Sequence, residues 1–324
     1  MTAMPSSIRR LAATFTVATL AAAGAVADPP RPSTFSIVGA DPESGEVGVA
    51  VASRFFAVGA TVPFARAGAG AVATQASANT TWGPRGLELM ARGATPAETA
   101  AILARADDDA SRRQAGYVAA DGASATFTGP DCNAWAGGRS GPGYAVQGNI
   151  LTGEEVVAAM ERAFLESAGE PLAARLYAAL AAGDAAGGDS RGKQSASLMV
   201  ARAGGGYGGK DDRAIDIRVD DHAEPIVELG RLVDLALVND LWNRGWAAFR
   251  DGRRGEDLRW QEATLAKAEA IDAAVLPEVL YDLAVIRLAN GDRDGARAAL
   301  DRALALNPKL AQQAATDSDL EALR

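Results

Sequence analysis

The chain has 324 residues, enough for about two domains, with 32 basic against 41 acidic residues, a net charge of −9 and a single cysteine, Cys132. With no run of Lys or Arg to track phosphates, this balance excludes nucleic acid as a partner. One cysteine also excludes an internal disulfide and any cysteine-based metal cluster.

Arg9 and Arg10 precede an apolar run from Leu11 to Ala23 that is too short to span a bilayer and ends in small residues, Ala25-Val26-Ala27. Residues 1–27 therefore read as a secretory signal cleaved after Ala27. A twin-arginine signal is the alternative, although SIRRLAA lacks its usual neighbours, and a retained anchor is a second alternative. No later segment is apolar over the length a membrane crossing needs, so the expected location is periplasmic or secreted, with no membrane contact after cleavage. Residues 28–33, DPPRPS, form a Pro-rich leader that cannot enter a sheet interior.

Thr34 to Gly59 reads as a β-hairpin. Phe35 and Ile37 point one way and Ser36 and Val38 the other, and Val47, Val49 and Val51 repeat the alternation after a turn made by Asp41, Pro42, Ser44 and Gly45. Ala69 to Ala76 is a small apolar strand, followed by helices over Pro84 to Arg92 and Pro96 to Ala106, each with proline in its first turn. Tyr117-Val118 and Ala125-Phe127 flank the hairpin turn Asp121-Gly122. A second helix pair, Glu154 to Ser167 and Leu172 to Ala182, breaks at Gly169 and Pro171, and a last strand pair covers Ser195 to Ala201 and Ala214 to Val219. Strand pairs interleaved with helix pairs predict an α+β domain of two face-to-face antiparallel sheets with helices outside, over residues 34–235.

Beyond Asp220 strands stop, and residues 236–324 are expected to form a smaller all-α domain. Pro277 to Pro308 resembles one tetratricopeptide repeat, with Leu280, Leu283 and Ala284 on a first helix, Gly291 in the turn and Ala296, Leu300 and Ala303 on a second. Leu241 to Ala273, with Trp242, Gly245, Trp246 and Trp260, looks like a degenerate preceding repeat. So few repeats do not bury a continuous core, so this segment is expected to lean on the first domain, on a second copy of the chain or on a protein partner.

Thr34 heads a strand directly behind a leader. If the Ser33-Thr34 bond is cut, its α-amine can accept the proton of its own hydroxyl, so one residue supplies nucleophile and base. The competing reading is that a β-branched residue simply begins a strand. Elsewhere the structural readings prevail. Gly204 to Gly209 has the spacing of a dinucleotide fingerprint but precedes a strand, and so reads as a hairpin loop. The acidic run from Asp211 to Asp221 alternates with apolar residues as a solvated strand face, and His222, the only histidine, reads as a cap. Cys132 and the three tryptophans read as packing, and no cofactor and no metal are expected.

Five blocks in order, TFSIVGADPESGEVGVAVASRFFAVG, GAGAVATQASANTTWGPRGLELM, WAGGRSGPGYAVQGNILTG, GGDSRGKQSASLMV and DDRAIDIRVDDHAEPIVEL, resemble the DUF1028 family, which is assigned to the N-terminal nucleophile (Ntn) hydrolase superfamily. The resemblance implies a four-layer αββα sandwich and, because members without an export signal begin Met-Thr-Phe-Ser, exposure of the residue matching Thr34. VAVASR also resembles a VAVDSR segment of proteasome catalytic subunits, which implies Ser53 and Arg54 as site residues. The acidic helper falls on Ala52, and where an activating lysine is expected there is only Arg66, whose guanidinium is a poor base. Lys193 and Lys210 lie in or beside Gly-rich loops, which leaves the α-amine of Thr34 as the base. Gln75, Asn79 and Asn149 are candidate donors to substrate or oxyanion beside strand ends. The expectation is an exported hydrolase of an amide or related acyl bond in a small molecule or peptide. The alternative is a non-catalytic binding or assembly module on the same fold.

Overall fold

The protein is described from a computed structural model over residues 34–324. The expected signal and leader, residues 1–33, lie outside the described residues. Within them the chain is a mixed α/β fold of antiparallel sheets with a helical C-terminal region.

The predicted hairpin forms from β1 (Thr34–Asp41) and β2 (Glu46–Ser53), with Asp41 capping the turn by accepting from Glu43 N and Ser44 Oγ. The small strand is β4 (Gly70–Ala76), preceded by β3 (Pro63–Arg66), which sequence reading missed. Helices α1 (Trp82–Ala91) and α2 (Pro96–Arg105) follow. A full capping box starts α2, where Thr95 Oγ1 accepts from Glu98 N while the Glu98 carboxylate accepts from Thr95 N. Strands β5 (Arg113–Ala119) and β6 (Ser124–Thr128) pair across the Asp121-Gly122 turn.

Two further strands also escaped prediction: β7 (Gly137–Gly141) and β8 (Tyr144–Asn149). They lie in a glycine-rich stretch where side-chain alternation is hard to read. Helices α3 (Glu155–Glu166) and α4 (Leu172–Ala185) precede β9 (Ser195–Ala201) and β10 (Arg213–Val219), and the glycine-rich segment after Ala201 is the loop between these paired strands.

One sheet has six strands in the order β10-β9-β2-β1-β8-β7, and the other has four, β3-β4-β5-β6. They face each other over Val38, Val49, Val51, Ala71, Ala73 and Val118. The outer side of the smaller sheet is covered by α1 and α2 around Trp82, Leu87, Leu103 and Tyr117. The outer side of the larger one is covered by α3 and α4 through Phe35, Ile37, Met160, Phe164, Leu176 and Leu180.

Six helical elements follow β10. First is α5 (Pro225–Arg250), a single helix of 26 residues that runs unbroken through the expected boundary at residues 235 and 236. Its first half belongs to the core of the larger sheet through Ile226, Leu229 and Val233. Then come α6 (Glu256–Ala270), α7 (Leu276–Ala289), α8 (Arg293–Leu306), α9 (Leu310–Thr316) and a terminal 3-10 turn (Ser318–Leu323). The repeat expected at Pro277 to Pro308 is the α7–α8 pair, closed around Leu280, Leu283, Ala284, Ala296, Leu300 and Ala303.

Charged groups lock this region to the sheets. Glu46 Oε1, on β2, accepts from Arg202 Nη1 and Arg244 Nη2, both at 2.6 Å, while Asp240 accepts from Arg202 Nη2 at 2.7 Å and Arg244 Nε at 2.8 Å. The carboxylates are buried and each is shared by two guanidiniums, so removing one partner would strand the others. Residues from β1 to the C-terminus accordingly form one compact body.

Candidate functional site

Register assembles the candidate site. Thr34, first in β1, lies opposite Ser53, last in β2, and opposite Asn149, last in β8. Because alternate residues share a face, Thr34 and Ser36 look toward the smaller sheet, while Phe35 and Ile37 look toward α3 and α4.

Thr34 Oγ1 donates to Ser53 Oγ at 3.3 Å. Its backbone carbonyl accepts from Gln75 Nε2 at 3.2 Å and from Asn149 Nδ2 at 3.5 Å. Thr34 is 1% exposed.

Behind it lies a buried carboxamide network that sequence reading missed in large part. Gln75 Nε2 and Asn149 Nδ2 both donate to Gln114 Oε1, at 2.8 and 3.0 Å, and Gln114 Nε2 donates onward to Gly148 O at 2.7 Å and Thr128 Oγ1 at 2.9 Å. Ser36 Oγ donates to Gln75 Oε1 at 2.5 Å and accepts from Gln147 Nε2 at 2.6 Å. Gly116 makes room for this, since a Cβ there would stand 2.1 Å from Gln147 Oε1. Gln114, Gln147 and Ser36 could have been found by one signal: a polar side chain at an inward position of an otherwise apolar strand, which demands a partner.

The other candidate residues are placed differently. Arg54 leaves β2 with its backbone N–H donating to buried Asp189 Oδ2 at 2.8 Å and its Nη1 to Arg191 O at 3.2 Å. Ser195 pins the same turn by accepting from Val58 N at 3.1 Å and donating to Phe55 O. Asn79 is engaged elsewhere: its Nδ2 donates to Asp107 at 2.8 Å and its Oδ1 accepts from Thr81 at the start of α1. Arg66 turns to α1, donating to Leu87 O at 2.9 Å.

A cavity of about 70 Å³ abuts Ser53, with Phe35, Asp189, Lys193 and Ser195 among its walls. Lys193 Nζ is held by Asp184 at 2.8 Å and Glu224 at 2.9 Å, and these hydrogen bonds raise its pKa, so it stays an ammonium and is no base. Burial pushes the Cys132 thiol up as well, consistent with packing. His222 Nδ1 accepts from Glu224 N at 3.0 Å in the turn ahead of α5, and the first turn of that helix has no side-chain cap. Among the described residues no group of three or more His, Cys, Asp or Glu is arranged to hold a metal ion, and no helix is long and apolar enough to cross a membrane.

Trp242 and Trp246 converge in the helical region, their indole N–H groups donating to Asp282 at 2.8 and 2.7 Å. Trp260 instead faces a cavity between α5, α6 and the β1–β2 turn.

Residues 277–310 match the tetratricopeptide repeat model. Among curated proteins none is significantly similar. The crystal structure of a Silicibacter pomeroyi protein of the DUF1028 family superposes with a TM-score of 0.57 at 30% identity, covering 63% of this chain and 89% of that one. Residues 34–229 match the model of DUF1028, a family of unknown function, and with well over half its length so matched this chain belongs to that family.

Proposed function

We propose that the protein is an exported N-terminal nucleophile hydrolase of an amide or related acyl bond, with Thr34 as nucleophile once the Ser33-Thr34 bond is broken. The observation that carries this reading is the convergence of three strand ends on Thr34, with Ser53 Oγ at its hydroxyl and two carboxamides at its carbonyl. The stacking of helices, two sheets and helices is, on this reading, the αββα arrangement of the Ntn superfamily.

Hydrolysis of Ser33-Thr34 frees the α-amine. Thr34 Oγ1 then adds to the acyl carbonyl carbon while that amine takes the hydroxyl proton, and the proton passes to the leaving nitrogen as the C–N bond breaks. Water attacks the resulting ester and restores Thr34. Ser53 orients the hydroxyl, and Gln75 and Asn149 hold the start of β1 in place as positioning residues. Arg54 shapes the rim through Asp189 and Arg191.

Intact mass and N-terminal sequencing of protein purified from its native compartment should find Thr34 first. A screen of amides, acyl-amino acids and peptides should then detect turnover that Thr34→Ala abolishes while the thermal midpoint stays within a few degrees. Protein that begins at Asp28 and remains so would remove the base and end the proposal.

A second reading, a binding or assembly module on this scaffold, draws support from the burial of Thr34 and from Arg66 facing α1. The tetratricopeptide repeat adds a capacity for protein interaction, either with a partner or with a second copy. On that reading Thr34→Ala leaves binding intact.

A further inference from the structure

A ligand-sized cavity lies away from Thr34. It encloses about 550 Å³ at the far end of β1, between the β1–β2 turn, α4, α5 and α6; strand rise puts it roughly 23 Å from Thr34. That volume falls in the range of small-molecule pockets, about 300–1,000 Å³.

Its wall is mostly apolar, with Ala174, Val233, Leu237, Leu241 and Trp260 among the lining residues. The cationic groups that reach it are already neutralised. Arg244 is bound by Glu46 and Asp240, and Lys267 Nζ by Asp234 at 2.7 Å. Two lining carboxylates have no such partner. Among the described residues the Asp41 carboxylate accepts only from the neutral donors Glu43 N and Ser44 Oγ, and neither it nor Glu170 makes an ion pair. Arg175 senses Asp41 electrostatically, but its guanidinium lies over the Phe164 ring and makes no ion pair with it. The unspent charge at the mouth is therefore negative, over an apolar interior.

We infer that this cavity binds a small amphipathic cation, an amine on an apolar body, with the ammonium at Asp41 and Glu170 and the body against Leu237 and Trp260. The occupant is chosen by charge complementarity: an anion of the same body would meet two like charges where the cation meets two opposite ones. Because the site is remote from Thr34, occupancy does not depend on the hydrolytic reading.

Isothermal titration of the full chain with octylamine and with octanoate tests it. Octylamine should bind at least tenfold more tightly. The double variant Asp41→Asn, Glu170→Gln, on exposed or half-buried positions, should erase that preference while leaving 1-octanol binding within about twofold. Leu237→Trp should fill the cavity and abolish binding of octylamine and 1-octanol, with a thermal scan to verify folding. Equal binding of amine and carboxylate, binding of neither, or amine binding unchanged in a folded Leu237→Trp variant would overturn the inference. If Leu237→Trp does not fold, the carboxylate double variant decides alone, because unchanged preference there overturns it equally.

Discussion

At the scale of single residues, the candidate site is governed by one carboxamide. Gln114 accepts from Gln75 and Asn149 and donates to strand carbonyls, so both residues that hold the Thr34 carbonyl depend on it. Replacing it with leucine takes the shared acceptor from both buried amides, leaving them only their bonds to backbone carbonyls, and takes the donor from Gly148 O, at a cost of about 1–3 kcal/mol for each group left under-satisfied. Gln114→Leu should therefore lower the urea-unfolding free energy by about 2–5 kcal/mol, whereas Asn79→Ala, whose partners lie around Asp107, should leave hydrolysis of any substrate found essentially unchanged. A Gln114→Leu protein as stable as the parent would mean the network is redundant. Thr34, Ser53, Gln75 and Asn149 were legible from the sequence because each sits at or near a strand end in a recognisable block. Gln114 and Gln147 left only the trace of a polar side chain at an inward strand position, which does not name their partners, and Asp189 left none, because its role arises only when a loop is laid beside the end of β2.

At the scale of elements, the clearest expectation concerns α7. Asp282 is desolvated, and this pushes its carboxyl up to about 6, with Asp317 and Glu278 adding to the rise against the pull of the two indole donors. In the unfolded chain the same group titrates near its ordinary value of 3.8. Between these values the native state holds more protons than the unfolded one, so this group's contribution is fully present below about pH 4 and is lost as pH rises through about 6. The loss is on the order of 2 kcal/mol after allowance for partial exposure. Urea midpoints of Asp282→Asn and the parent, compared at pH 4.5 and 7, should differ in slope, the variant being flatter; parallel profiles would contradict the assignment. Most elements were readable from the sequence because capping, proline and alternation agree locally, as in the Thr95 box of α2 and the Asp121-Gly122 turn. The exceptions, β3, β7 and β8, are four to six residues long, and β7 and β8 carry glycines where period-two apolar residues would otherwise show. Their strand character comes from neighbours that supply the hydrogen bonds.

At the scale of the whole molecule, α5 decides how the parts can be separated. Ile226, Leu229 and Val233 complete the core of the larger sheet, and burying three such side chains is worth about 5–9 kcal/mol, comparable with the stability of an ordinary domain. A chain ended at residue 224 should accumulate as insoluble protein, while one ended at residue 250 should keep a measurable soluble fraction with a cooperative melt; equal solubility of the two would show that the first half of α5 is dispensable. Composition and periodicity correctly announced where helices replace strands, but they could not reveal that the first of those helices belongs to both regions, since a continuous 26-residue helical stretch carries no mark of which half packs on what. Its continuity makes the helix a stiff lever with no joint along its length. Torque applied by anything gripping the C-terminal helices would be delivered to the β9–β10 edge directly, and transplanting those helices onto another scaffold would require carrying this shaft along with them.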